Sequence, residues 1–433
     1  MKTIGIIAEY NPFHNGHAYQ IAELKRKTNA DFVVIAMSGD FVQRGAPAII
    51  DKYCRAEMAL LCGADLVIEL PAVWAVSSAE DFAMAGVTLF DKMGCIDWIC
   101  FGAESDQLPL LKSIAGVLAE EPDIYRSALS SYLKKGLAFP AARAAALSDY
   151  FKSTGMNFLI SILDTPNNIL AVEYLKALKR RNSAMTQILI PRAGSGYHDT
   201  TINTPTASAS AIRAAVSNVT PSDDHTFHFS SADYGSQSIH SSRPHLSEIA
   251  SSMPEPAFAL FQKEITSGRL MDADDFSSIL GYRILSCSKK ELENIYDMTP
   301  EIANRIIKNR YHFSSFTQFC ARNKSRDITY TRMNRILQMT QTDVKQYKET
   351  DYIPYLRILG FRKDASALLS ALKNSAKVPV ISKLSSALRT LDGTANQMLK
   401  QDIFSSELYE QQKTGKTKNR FSCPECSKEI IRV

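Results

Sequence analysis

Ile4-Gly5-Ile6-Ile7-Ala8-Glu9-Tyr10-Asn11-Pro12-Phe13-His14-Asn15-Gly16-His17 is the stretch whose reading decides the fold. An apolar run stops at a polar turn containing Pro12, and an amphipathic helix pattern follows. The order is strand, tight loop, helix N-terminus. A helix N-terminus presents unpaired N–H groups and the positive end of the helix dipole, so it suits phosphate. Gly16 lets a phosphate approach the backbone, and the imidazoles of His14 and His17 can donate hydrogen bonds to its oxygens. Read alone, the turn is a phosphate site with no stated reaction.

Working outward, residues 1–100 alternate strand and helix. Strands are expected at 3–8, 31–37, 65–69 and 96–101, with helices near 16–28, 50–62 and 78–93. Continuous apolar strands separated by helices predict a parallel sheet covered on both faces. Ligands bind such sheets at the carboxyl ends of the strands. Polar candidates fall there: His14 and His17 after the first strand, Asp40 after the second and Gly102 at the fourth. Asp40 either orients a reacting group such as a histidine, or caps its turn. Residues 106–181 read mainly as helices, and Pro166-Asn167-Asn168 starts one of them. A strand at 185–190 leads to Arg192 and a polar loop. Ser208 to Arg213 then reads as a capped helix start carrying Ser210 and Arg213, a second phosphate cradle.

The remainder is less patterned. Residues 217–252 are rich in Ser, His and Asp and read as a linker or mobile loop. Residues 253–363 read as helical and more basic. Lys324, Arg326, Arg332 and Arg335 lie around Tyr330 there, a composition that suits RNA phosphates and bases. Residues 364–433 form a weakly patterned C-terminal extension. Cys423-Pro-Glu-Cys426 supplies half a zinc site with no second cysteine pair nearby, so zinc is not expected. The eight cysteines are scattered and mostly in apolar contexts, as in a reduced, cytoplasmic protein. A net charge of +5 leaves nucleic-acid binding to local basic patches. No apolar run approaches the roughly 18 residues of a membrane span, and neither a signal peptide nor a membrane partner is expected.

The histidine turn is similar to that of the HIGH-motif nucleotidyltransferase superfamily, and Ser208–Arg213 resembles its second phosphate motif. Further stretches extend the likeness: Ser38-Gly-Asp-Phe-Val-Gln-Arg-Gly45, Pro47-Ala-Ile-Ile-Asp-Lys52, Phe139-Pro-Ala-Ala-Arg143, Pro166-Asn-Asn-Ile-Leu170 and Gly194-Ser-Gly-Tyr-His-Asp199. Together with the opening loop, they resemble the bacterial tRNA(Met) cytidine acetate ligase family over about residues 1–215, and more loosely to 363. The Lys324-Ser-Arg-Asp-Ile-Thr329 run departs from that family's Lys-Thr-Lys-Arg-Tyr-Thr-like run. Ala171 stands where the family often has glycine.

The resemblance implies a Rossmann-like α/β domain, residues 1–216, followed by a mainly helical tRNA-binding domain. It implies acetyl-adenylate formation from acetate and ATP, with Mg²⁺ accompanying the triphosphate and no acetyl-CoA. The acetyl group would then pass to N4 of the wobble cytidine in the anticodon loop of elongator tRNA(Met). The ATP contacts implied are Ile7, Ala8, Glu9, Tyr10, Asn11, Pro12, Phe13, His14, Asn15, Gly16, His17, Ala18, Tyr19, Gln20, Gly102, Asn168 (with Asn167 as the lesser candidate), Arg192, Ser210 and Arg213. His14, His17 and Asp40 are the catalytic candidates. Lys52 and Arg55 would meet tRNA or acetate, or face solvent. The competing expectation is a nucleotidyltransferase acting on a small phosphorylated metabolite, which would share the phosphate site and need no RNA. A non-catalytic RNA-binding protein with a relic nucleotide fold is the third reading.

Overall fold

The computed structural model describes residues 1–155, 160–191, 207–217, 246–347, 352–421 and 424–433. Its centre is a mainly parallel sheet. The first strands are β1 (Thr3–Ala8), β2 (Phe32–Ser38), β5 (Leu66–Leu70), β6 (Trp98–Ala103) and β7 (Thr186–Pro191). A short hairpin, β3 (Phe41–Val42) with β4 (Ala46–Pro47), stands outside the sheet. Within the sheet, β1 lies between β2 and β6, β5 lies beyond β2, and β7 lies beyond β6. All four pairings are parallel.

This order explains the strand composition. Ile4, Val33, Val34, Ile35, Leu66, Val67 and Ile99 are fully buried, because helices cover both faces of the sheet. Helix α1 (Asn15–Thr28) follows β1, and helix α2 (Lys52–Leu61) precedes β5. The chain runs from β1 outward through β2 and β5, then returns to start β6 on the other side of β1. The topological switch therefore lies between β1 and β6, where open α/β sheets bind their ligands.

The C-terminal part differs from the expectation. Residues 356–361, expected within a helical segment, form strand β8 (Leu356–Phe361), which pairs antiparallel with β5. Strands β9 (Val380–Ile381) and β10 (Ile431–Arg432) pair parallel with β8. The weakly patterned extension also contains the 24-residue helix Gly393–Lys416. These elements thus extend the central sheet itself. The reason is pairing: β9 and β10 are two residues each, too short to carry a period, and gain their hydrogen bonds only from β8.

In chain order between β7 and β8, short helices form a second layer. Helices Ser277–Ser286, Pro300–Asn309, Phe316–Asn323 and Tyr330–Gln341 bury Leu280, Ile306, Phe319 and Ile336 in a core continuous with one side of the sheet. The end of the expected linker, Leu246–Ser251, is a helix. Among the described residues no helix is long and apolar enough to cross a membrane.

Candidate active site

A cleft of about 690 Å³ opens at the β1–β6 switch. Its floor is the turn between β1 and α1, built by the two histidines. His14 is the N-cap of α1, and its Nδ1 accepts from the Gly16 N–H at 3.1 Å. His17 Nδ1 accepts in return from the His14 N–H at 3.3 Å. This reciprocal capping satisfies backbone donors that a helix start otherwise leaves bare. A ring nitrogen that accepts carries no proton, so each neutral imidazole holds its proton on Nε2. The rings stack at 3.7 Å between centroids. Tyr10 and Phe13 pack edgewise or tilted against His17, at 4.7 and 5.4 Å. A Cβ at residue 16 would lie 2.9 Å from the His14 ring, so glycine is needed there for the ring to cap the helix.

The surrounding elements lock this turn. Asn11 Oδ1 accepts from the Ile49 N–H at 2.8 Å. Asn15 Nδ2 donates to the Ser251 carbonyl, and the Asn15 N–H to that of Ser252. Ser208 caps the helix Ala209–Ser217 through the Ala211 N–H, as expected. Arg213 from that helix donates to the Asn11 carbonyl at 2.6 Å and to Ser210 Oγ at 3.1 Å. The two phosphate motifs are thereby tied together. Burial pushes the Arg213 pKa below its ordinary value, while Glu9 opposes this.

Of the residues expected to contact nucleotide, Ile7 to Asn11, His14 to His17, Tyr19, Gln20, Gly102, Ser210 and Arg213 line the cleft. Pro12, Phe13 and Ala18 do not; Phe13 is instead part of the core beneath the turn. Asn168 is not among the residues lining the cleft. It is buried, and its Oδ1 accepts from the N–H groups of Glu104 and Ser105 at 3.0 and 3.1 Å. It braces the loop after β6, and its neighbour Asn167 takes the place in the wall. Arg192 and the motif 194–199 lie outside the described residues, as does Cys423.

Three charged residues also sit elsewhere than expected. Asp40 is buried outside the cleft, where its Oδ1 accepts from the Lys52 N–H at 2.8 Å. The bond braces the start of α2 and does not cap the turn of Asp40 itself. Burial, partly offset by Lys52, raises its pKa to about 6. Arg55 and Lys52 are fully buried and offer no surface to tRNA, acetate or solvent. The Arg55 guanidinium donates to the carbonyls of Glu9, Ser38 and Gly39, pinning the ends of β1 and β2 together. Lys52 Nζ meets Glu69 at 2.8 Å, Glu425 at 2.6 Å and Ser406 Oγ at 2.6 Å. Arg357 completes this closed cluster against Glu69 and Glu425.

Sequence reasoning missed Gln43 and Arg44, at the tip of the β3–β4 hairpin and lining the cleft. It also missed the apolar wall of Phe82, Phe101, Ile169, Leu170 and Tyr174. An apolar wall beside a cationic floor suits a nucleotide, base on one side and phosphates on the other. Of the RNA candidates, Lys324 and Arg326 are exposed, and Arg326 donates to the Gly136 carbonyl. Arg332 pairs with Asp297 at 2.7 Å, and Arg335 is mostly buried, which pushes its pKa down.

Comparison with known proteins decides the assignment. The family model described as HIGH Nucleotidyl Transferase matches residues 1–422. The tRNA(Met) cytidine acetate ligase of Acetivibrio thermocellus is 36% identical over 417 residues, covering 94% of both chains. That of a Thermoanaerobacter species is 37% identical over 411 residues, covering 94% of this chain and 95% of its own. The chain belongs to the tRNA(Met) cytidine acetate ligase family. Its fold agrees with that of apo Thermotoga maritima TmcAL, at a TM-score of 0.89, 28% identity and full coverage of both chains. The same Thermotoga protein bound with alpha-thio ATP matches at a TM-score of 0.83, also over both full chains. In this family member, the cleft at the β1–β6 switch is therefore the candidate active site.

Proposed function

We infer that the protein is an ATP-dependent acetate ligase acting on elongator tRNA(Met). The observation that carries this is the pair of mutually capping histidines, set at the switch-point cleft of a chain whose relatives share that activity over 94% of its length. In the first step an acetate oxygen attacks the α-phosphorus of ATP. The bond from that phosphorus to the bridging oxygen breaks, and pyrophosphate leaves with the electron pair. Charge grows on the phosphate oxygens, so stabilisation and positioning dominate. The Nε2–H groups of His14 and His17 supply donors at the α- and β-phosphates. Arg213 with Ser210, and Arg192, are assigned to the β/γ end, since guanidinium matches phosphate bidentately. Gly102 and the apolar wall receive ribose and adenine.

In the second step the N4 amine of the wobble cytidine attacks the acetyl carbonyl. AMP leaves with the bonding electrons, the amine loses a proton, and N4-acetylcytidine results. No acetyl-CoA takes part. The anticodon base must be splayed out of its stack to reach the mixed anhydride. Lys324 and Arg326, exposed on the helical layer, support contact with tRNA phosphates. Mg²⁺ accompanying the triphosphate would supply neutralisation of its charge. Glu9 is the carboxylate among the described lining residues, and no cluster of potential metal ligands occurs among the described residues, so protein side chains are not assigned to hold it.

The test is purified protein with ATP, acetate and elongator tRNA(Met), followed by nucleoside mass analysis. An acetate-dependent acetyl mass gain on cytidine is expected, and its absence overturns the assignment. Pyrophosphate exchange into ATP that requires a phosphorylated metabolite instead of acetate would establish the competing nucleotidyltransferase reading.

A further inference from the structure

The hairpin β3–β4 carries two features that the reaction above does not use. Its tip, Gln43-Arg44-Gly45, reaches into the cleft with Gln43 and Arg44. Arg44 remains exposed, and partial desolvation of its guanidinium at the cleft pushes its pKa below the ordinary value, which Glu9 opposes. It is close enough to Arg213 for the two cations to disfavour each other, with Glu9 between the phosphate motifs as their shared counter-charge. Among the described lining residues two guanidiniums face one carboxylate, an arrangement that favours an anionic ligand.

The second feature is what holds the tip. The Gln43 N–H donates to Glu9 Oε1 at 3.0 Å, and Gln43 Nε2 to the Ser77 carbonyl at 3.2 Å. Gly45 has φ +75°, and its backbone lies against the helix Tyr330–Gln341. A Cβ there would fall 2.3 Å from Arg335 N and 2.4 Å from Asn334 C, both backbone atoms. Only glycine satisfies both the positive φ and this contact. The residue presenting a cation to the cleft is thus adjacent to the residue fixed on a helix of the helical layer.

We propose that Arg44 is a further substrate-contacting residue, its guanidinium binding phosphate oxygens of the nucleotide, and that the contact of Gly45 with the helix Tyr330–Gln341 sets its position. This deepens the function proposed above and rests on that reading. It also joins the helical layer, where tRNA phosphates are expected, to the adenylation site through one three-residue tip.

The test is acetate-dependent ATP–pyrophosphate exchange without tRNA, with thermal melts on every variant. Arg44→Ala is expected to lose about 10²-fold in kcat/KM for ATP, with an unchanged melting temperature. Arg44→Lys should recover part of that loss by keeping the charge without the planar fork. Gly45→Ala, with Arg44 intact, should fall in the same direction. Gln43→Ala removes the side-chain bond to Ser77 with no added atoms, and it should show a smaller loss if Gly45→Ala does not fold. The phosphate assignment is overturned if Arg44→Ala exchanges within twofold of wild type while His17→Ala is inactive. It is equally overturned if Arg44→Ala retains exchange and raises only the KM for tRNA, which would place the guanidinium on a tRNA phosphate. Loss of exchange in Arg44→Ala with none in Gly45→Ala and Gln43→Ala would overturn the positioning role. A His17→Ala variant with full exchange would instead sink the underlying adenylation reading.

Discussion

Two clusters of charge lie at the sheet, and they are used in opposite ways. At the β1–β6 switch, His14, His17, Arg44, Arg213 and Glu9 border an open cleft. Around β5 and β8, Lys52, Arg357, Glu69 and Glu425 are sealed from water, with the buried Asp40 carboxyl 3.8 Å from Lys52 Nζ. Among the described lining residues, the first sets two guanidiniums beside one carboxylate. The second is closed by its own ion pairs and fastens the C-terminal chain to the sheet. The difference teaches that a charged residue beside a nucleotide motif in sequence is not thereby part of the site. Lys52 belongs to the sealed cluster, whereas Arg44, eight positions earlier, belongs to the open one.

Breaking the sealed cluster should cost the most. Lys52→Ala leaves Glu69 and Glu425 buried with Arg357 as their one remaining shared cation, and removal of one partner from a buried pair typically costs about 3–5 kcal/mol. Chemical denaturation should show this as a lowered midpoint. An unchanged midpoint would mean that the cluster does not hold the fold.

The open cluster should respond in the other currency. His17→Ala is expected to reduce acetate-dependent ATP–pyrophosphate exchange by about 10²–10³-fold with little change in melting temperature. A large loss of stability with intact exchange would reverse the contrast.

Acid sharpens the comparison further. Burial alone would push the Glu425 carboxyl up, but Lys52 and Arg357 outweigh it and hold the pKa down at about 2, below the ordinary 4.5. A depressed folded-state pKa means stability that is full above pH 4.5 and lost as pH falls toward 2. Unfolding free energy should therefore decline over that window, by about 3 kcal/mol from this group. Glu425→Gln should lose stability at neutral pH and flatten that part of the pH profile.

The smallest effect belongs to the exposed surface. Lys324→Ala is expected to weaken tRNA binding and reduce the salt slope of log affinity by about one, leaving tRNA-free exchange unchanged. A salt slope equal to that of wild type would remove Lys324 from the RNA contact.

How much was legible depended on whether the signal was local. The strand, turn and helix of residues 3–28 are contiguous, and their pattern carried both the parallel sheet and the phosphate turn. The capping start at Ser208 and the helix after Pro166 were readable for the same reason. The choice between Asn167 and Asn168 was not, because it turns on which side chain the loop at Glu104 and Ser105 occupies, 63–64 residues away. Ser38 to Gly45 was visible as a motif, but nothing local indicated that its tip folds back over the cleft.

The sequence by itself determined that β1 ends in a glycine-containing turn that carries two histidines into a helix start, the pattern from which a phosphate site was expected at this edge of the sheet. It also determined the family resemblance that named the reaction. Only the tertiary structure decided which cations remain available. Lys52 is neutralised by Glu425 and bonded to Ser406, 354 positions away, and Arg357 arrives on a strand that gains its place by pairing with β5. Charge type is written in the residue, but the partner that buries or frees it is set by chain crossings hundreds of residues long. That is why the position of the histidines at the α1 start was legible in sequence and the surroundings of the cations were not.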